Sequence, residues 1–120
     1  MSNPMFYIAG PISGYADYNA PAFHKAQLHL ESKGILRENI FNPIISEESI
    51  MVQKGLIDRK DAYRICMKAD LLWICDHATH MYMLNGWGNS PGAQAEHALA
   101  ECLKLQIVYQ TNLEMDSYHE

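Results

Sequence analysis

The sequence predicts one α/β domain, a parallel sheet of four to five strands with helices on both faces. Three observations predict it. Short apolar runs alternate with longer stretches of helical periodicity along the 120 residues, as in strand–helix units that stack a parallel sheet between helices. The two clearest helix starts pair a capping residue with a nearby proline, at Asn19-Ala20-Pro21 and Ser90-Pro91. Glycine-bearing loops, Gly10-Pro11 and Asn85-Gly86, follow the first and third apolar runs.

Met5-Phe6-Tyr7-Ile8-Ala9 is the first strand, stopped by Gly10-Pro11. After the loop from Gly10 to Asn19, Phe23, Ala26 and Leu30 recur at helical spacing, with Asn19 as cap and Gly34 as stop. Ile35 to Phe41 is a weaker strand, interrupted by Arg37, Glu38 and Asn39, and it ends at Asn42-Pro43. A polar, partly helical stretch covers Ser46 to Gly55. A longer helix runs from about Asp58 to Ile74, with an apolar stripe of Ala62, Ile65, Ala69 and Leu72 flanked by Cys66 and Trp73. Met81 to Leu84 is the third strand, and Asn85 to Asn89 an exposed loop. The last helix starts at Ser90-Pro91 and ends near Lys104; Leu105 to Tyr109 is the fourth strand, and Gln110 to Glu120 a polar tail or docking segment. These elements compose a flavodoxin-like three-layer sandwich, whose ligands bind where strands end and helices begin.

Composition removes several classes of function. At 120 residues there is room for one core, and 48% hydrophobic with 19% charged residues is the balance of a globular chain, not a disordered one. The formal charge of −5, with 9 basic residues scattered along the chain without a stripe or cluster, argues against a nucleic-acid polymer as partner, which would need many phosphate contacts. A small phosphorylated ligand needs only one or two donors and stays open. Cys66, Cys75 and Cys102 fit neither a zinc pattern nor a disulfide framework and are expected as buried, reduced thiols. Neither a secretory signal nor an apolar run long enough to span a membrane is found, so the expected location is the cytoplasm. The His77, His80 and His97 positions lack the spacing of a shared metal face, and no metal or cofactor is expected. GxSxG, P-loop and GxGxxG patterns are absent.

The residues with chemical potential gather around the loops after the first and third strands. Glu96 has Ala93, Leu99, Ala100 and Leu103 as its helical neighbours, so its carboxylate leans toward the protein and needs a partner or a proton there. Asp70 borders the apolar face of the preceding helix, at i+4 from Cys66 and i−3 from Trp73. Two inward carboxylates on neighbouring helices are the equipment of glycoside-bond cleavage, one attacking the anomeric carbon and one handling the leaving group's proton. Each has an ordinary reading as well, Glu96 on the margin of a buried stripe and Asp70 solvated. Tyr7 either holds a carboxylate oxygen or is a core aromatic. Ser90, with the N–H groups of Gly92 and Ala93 pointing outward and uncommitted, forms either an anion site or a simple helix cap. Trp87 either stacks on a base or packs within its loop.

The segments Tyr7-Ile8-Ala9-Gly10-Pro11-Ile12-Ser13-Gly14 and Gly86-Trp87-Gly88-Asn89-Ser90-Pro91-Gly92-Ala93-Gln94-Ala95-Glu96-His97-Ala98-Leu99-Ala100 resemble those of small, often phage- or prophage-encoded proteins. That group, of unassigned function, is related to nucleoside 2-deoxyribosyltransferases and 2′-deoxynucleoside 5′-phosphate N-hydrolases. The similarity runs from the first strand to Tyr109. It implies Glu96 as nucleophile, with Ser90 six residues earlier and Gly92 between them shaping the sugar and phosphate pocket. It also implies Asp70 at the base or its leaving nitrogen, Tyr7 steadying the nucleophile, and the first loop, Gly10, Pro11, Ile12 and Ser13, against the sugar or phosphate. Asn42 and Trp87 complete the expected ligand contacts. The hydrolases carry an Arg in the first loop and this chain has none. The relatives also receive a residue from a neighbouring subunit's C-terminal part, for which Asn112 is the match here.

The resemblance therefore implies cleavage or transfer at the N-glycosidic bond of a nucleoside or nucleotide, through a glycosyl-enzyme on Glu96. A domain this small closes its pocket to water best as a homodimer or larger assembly. Two other readings keep the fold: a pocket that senses or sequesters a nucleotide without turnover, and a structural subunit with no ligand.

Overall fold

The computed structural model describes residues 3–111, apart from the Arg59 side chain. The elements run β1 (Phe6–Ala9), α1 (Ala20–Ser32), β2 (Ile40–Phe41), α2 (Glu47–Gln53), α3 (Arg59–His77), β3 (His80–Met83), α4 (Pro91–Cys102) and β4 (Gln106–Tyr109). The four strands form one all-parallel sheet in the order β2-β1-β3-β4, with the helices around it, as a flavodoxin-like three-layer fold requires.

Strand alternation divides the core in two. Successive side chains of a strand point to opposite faces, so β1 sends Phe6 and Ile8 to one side and Tyr7 and Ala9 to the other, and β3 does the same with Tyr82 against Met81 and Met83. The first set packs on Phe23, Ala26 and Leu30 of α1. The second packs on Ile74 of α3 and Ala100 of α4. Tyr7 thereby faces the helices that carry Asp70 and Glu96, held between Phe41, whose ring lies 5.2 Å away, and Trp73 at 6.3 Å.

Several local expectations need correction. Asn19 does not cap α1 with its side chain; Asp17, Tyr18 and Asn19 all take left-handed backbone, with φ of 53°, 54° and 62°, and the Asn19 amide donates to the Pro11 carbonyl at 2.8 Å. The residue ties the first loop together instead. Of the strand expected over 35–41 only Ile40–Phe41 pairs, because Arg37–Asn39 form a 3-10 turn. On α3 the inward face is rotated from the expected stripe: Ile65 and Leu72 are exposed, while Asp70 and Ile74 are buried. That helix also runs to His77, one turn beyond expectation. Leu103, expected beside Glu96, is exposed beyond the end of α4. The cysteines are free of disulfides but not buried; Cys75 and Cys102 are exposed and Cys66 is half-buried.

Candidate active site

Three polar groups meet at the carboxyl-terminal end of the sheet, on its α3/α4 side. Glu96 extends the buried stripe of α4, one turn after Ala93 and one before Ala100, and is 5% exposed. Asp70 lies one turn before Ile74 on the inner face of α3 and is 7% exposed. Both helices therefore direct a carboxyl group where their periodicity calls for an apolar side chain. The Tyr7 hydroxyl rises from the sheet between them and donates to Glu96 Oε2 at 2.6 Å, across 89 residues of sequence. Gly10 lets the chain leave β1 at the required angle, since a Cβ there would sit 2.8 Å from both Cβ and Cδ1 of Leu84.

Burial sets the electrostatics. Loss of water pushes the Glu96 carboxyl up to about 8, with the nearby Asp70 charge adding to the rise and the Tyr7 hydrogen bond opposing it. The same loss pushes Asp70 up to about 7, opposed by Tyr7 and assisted by Glu48 of α2. Burial first, and then the two carboxylates, raise Tyr7 well above the ordinary phenol range, so it stays a proton donor throughout. The cluster thus retains protons near neutrality that exposed carboxyls would have lost.

A cavity of about 1150 Å³ opens over this cluster. Tyr7, Asp70 and Glu96 line it, and so do Gly10, Pro11, Ile12 and Ser13 of the first loop. Ser90 and Gly92 complete the expected set from the start of α4. The structure thus brings together nine of the residues singled out from the sequence. Asn42 and Trp87 lie elsewhere. Asn42 is buried but committed: its amide donates to Gln27 at 3.1 Å and faces His24 Nδ1 at 3.4 Å, and its oxygen accepts from the Ile44 N–H at 3.1 Å. It caps the turn whose Pro43 and Ile44 reach the cavity. Trp87 is stacked on His97, with ring centres 4.2 Å apart, and leans on Tyr109, so loop packing consumes the ring. Asn112 lies outside the described residues.

At the start of α4 Ser90 takes the capping role, one of its two expected readings. The Ala93 N–H is not free; Ser90 Oγ accepts it at 3.2 Å, and the Ser90 carbonyl accepts the Gln94 N–H at 2.9 Å. Ser90 is a helix cap that also faces the cavity. Among wall residues not foreseen, Tyr63 and Met67 of α3 crowd Gly92, where a Cβ would lie 3.3 Å from Tyr63 Oη and 3.4 Å from Met67 Sδ. Their spacing from Asp70, at i−7 and i−3, places them on its face and was visible in the sequence. Ser49, Val52 and Gln53 of α2, and Tyr15 and Tyr18 of the first loop, also line the cavity; only the tertiary placement of a short helix and a left-handed turn brings them there. No three His, Cys, Asp or Glu side chains converge as metal ligands among the described residues. No helix among them is long and apolar enough to cross a membrane.

The molecule is, in class, a parallel α/β domain with a buried two-carboxylate pocket at the ends of its strands. More particularly, the chain belongs to the family described as a domain of unknown function, DUF4406, whose model matches residues 4–109. The match spans every strand and helix and includes Tyr7, Asp70 and Glu96. No curated protein matches the chain.

Proposed function

We propose that this protein cleaves, or transfers at, the N-glycosidic bond of a nucleoside or nucleotide in the cytoplasm, as a relative of the nucleoside deoxyribosyltransferases. The observation that carries the reading is the convergence of two buried carboxyl groups from different helices on one large cavity, with one of them hydrogen-bonded to a buried tyrosine. Uncompensated carboxyls in an apolar setting destabilise a fold, and such perturbed pairs concentrate at reactive sites. A volume of about 1150 Å³ has room for a glycoside together with an acceptor.

In this mechanism a Glu96 oxygen forms a bond to the anomeric carbon as the carbon–nitrogen bond breaks. The electron pair of that bond goes to the base, and Asp70, which keeps its proton to about 7, supplies the proton that neutralises it. Glu96 attacks from its ionised form, its proton having passed to solvent beforehand; the positive charge growing on the furanose ring favours that form, and Tyr7 steadies the oxygen it touches. Water or a second base then attacks the same carbon, gives its proton to the Asp70 carboxylate, and breaks the bond to the Glu96 oxygen, so both carboxyl groups return to their starting forms. Self-association would close the pocket further, and exposed apolar groups support it: Tyr63 of the cavity wall is 60% exposed, and elsewhere Leu56 is 69% and Leu72 57% exposed. A purely monomeric chain in sedimentation equilibrium would refute that part.

The test of the nucleophile is Glu96→Gln. Wild-type protein is expected to release free base from at least one member of a panel of nucleosides and their 5′-monophosphates. The variant should bind that ligand yet release base at least about a thousandfold more slowly. Release at the wild-type rate removes Glu96 from the chemistry. Binding by the wild type with no release from any panel member leaves a sensing or sequestering role in its place.

A further inference from the structure

The charge of the cavity wall narrows the substrate, and the narrowing rests on the glycosidic reading above. We infer that the site selects unphosphorylated nucleosides over nucleoside 5′-monophosphates, because the described wall combines carboxyl groups with neutral donors and contains no Lys, Arg or His.

Asp58, Asp70 and Glu96 are the acidic side chains of that wall among the described residues, and burial leaves the last two partly protonated near neutrality. A monophosphate brings about −1.5 to −2 charges at neutral pH. Its recognition ordinarily uses the planar fork of Arg or the ammonium of Lys, because an anion taken from water without a countercharge loses its hydration uncompensated. Among the described residues of the wall, none supplies that countercharge. The described cations that are paired lie away from it: Arg37 meets Glu31 at 3.5 Å, and His97 is held by Glu101 at 3.5 Å and by the Tyr109 hydroxyl at 2.8 Å. The start of α4 does not replace them, since the Ala93 and Gln94 amides are bonded to Ser90 and the Gly92 amide on the wall is a neutral donor without a full charge.

The neutral groups of the wall suit what a nucleoside presents. Ser13, Ser49, Gln53 and Asn89 offer hydroxyls and amides that can donate and accept, matching sugar hydroxyls and base edges. Tyr15, Tyr18 and Tyr63 add aromatic surface for a planar base. Discrimination then comes chiefly from the missing countercharge, to which Asp58 and the ionised fraction of Asp70 add repulsion.

The experiment compares matched pairs, adenosine and AMP, 2′-deoxyadenosine and dAMP, thymidine and dTMP, 2′-deoxycytidine and dCMP. Base release is followed with the wild-type chain, and thermal shift with both wild-type and Glu96→Gln protein. In every pair that reacts, kcat/KM is expected to be at least about tenfold higher for the nucleoside. The preference should narrow as salt is raised from about 20 to 500 mM, because screening weakens repulsion of the phosphate. Equal or better turnover of the monophosphates overturns the inference and leaves the glycosidase reading intact. A thermal shift with nucleosides alone and no base release does the reverse, upholding the charge selection and removing the catalysis. Neither binding nor release across the pairs overturns both.

Discussion

The two faces of this sheet are built from alternate residues of the same strands and solve the burial problem differently. On the α1 side the core is apolar, and the buried polar side chain there, Asn42, has its amide and its oxygen engaged by Gln27, His24 and Ile44. On the α3/α4 side Tyr7, Asp70 and Glu96 interrupt the packing, and the hydrogen bond that Glu96 receives comes from Tyr7. A hydrogen-bonded amide is what a stable core tolerates. Two carboxyls raised to about 7 and about 8 are what it does not, since the folded state stabilises their charged forms less than water does. One face holds the molecule together while the other keeps groups whose retention makes sense as chemistry.

Opposite effects of substitution on the two faces sharpen that contrast. Phe23→Ala, in the apolar core of the α1 face, should cost about 3–5 kcal/mol by lost transfer energy and cavity formation, read by urea denaturation. Glu96→Gln should stabilise the protein, and the gain should depend on pH. The folded chain holds the Glu96 proton up to about 8, while the unfolded chain releases it near the ordinary value of 4.5. Between those values the native state binds more protons than the unfolded one, so wild-type stability falls as pH rises through that window. Below it both states are protonated and the variant gains little. At about pH 8.5 the gain should be on the order of 2–4 kcal/mol, with the same denaturation midpoints measured at both ends. A Glu96→Gln protein that loses stability equally at both pH values would show that the carboxylate is well compensated and the faces are alike.

Sequence patterning revealed much of this, and the physical reasons for its gaps are specific. The parallel fold followed from apolar runs that alternate with helices, and the inward lean of Glu96 followed from Ala93 and Ala100 one turn to either side. The Asp70 side chain was harder to place, because α3 carries apolar residues on more than one side: Ile65 and Leu72 mimic a core stripe and yet face outward. Periodicity fixes a stripe only where the opposite face is polar. Asn19 and Asn42 differ from expectation for another reason. Asn19 was expected as a cap and Asn42 as a ligand contact, and only the tertiary arrangement shows that the first reaches back to Pro11 while the second caps the next turn and is bound to α1. Trp87 looked unpartnered because its partners, His97 and Tyr109, are 10 and 22 residues away and meet it through the packing of α4 and β4. Pairings across the sheet, including the Tyr7–Glu96 bond itself, are not written in local spacing.

The smallest expected effect tests the link between the faces most closely, because Tyr7 belongs to the sheet and acts on the helix. Tyr7→Phe keeps the ring among Phe41 and Trp73 and removes only the hydroxyl, so the stability change should stay near about 1 kcal/mol. The consequence for Glu96 is directional. The Tyr7 hydrogen bond lowers the Glu96 pKa, so its loss raises that value further above about 8. If ionised Glu96 is the attacking group, the acid side of the kcat/KM profile should move upward by about one pH unit, and the falling side set by the Asp70 proton should move upward with it, because the same hydroxyl lowers Asp70. A Tyr7 that served packing alone would lower the whole profile and leave its acid side in place. The displacement of the profile, and not the loss of rate, therefore separates a hydroxyl that tunes the carboxylate from a ring that merely fills space.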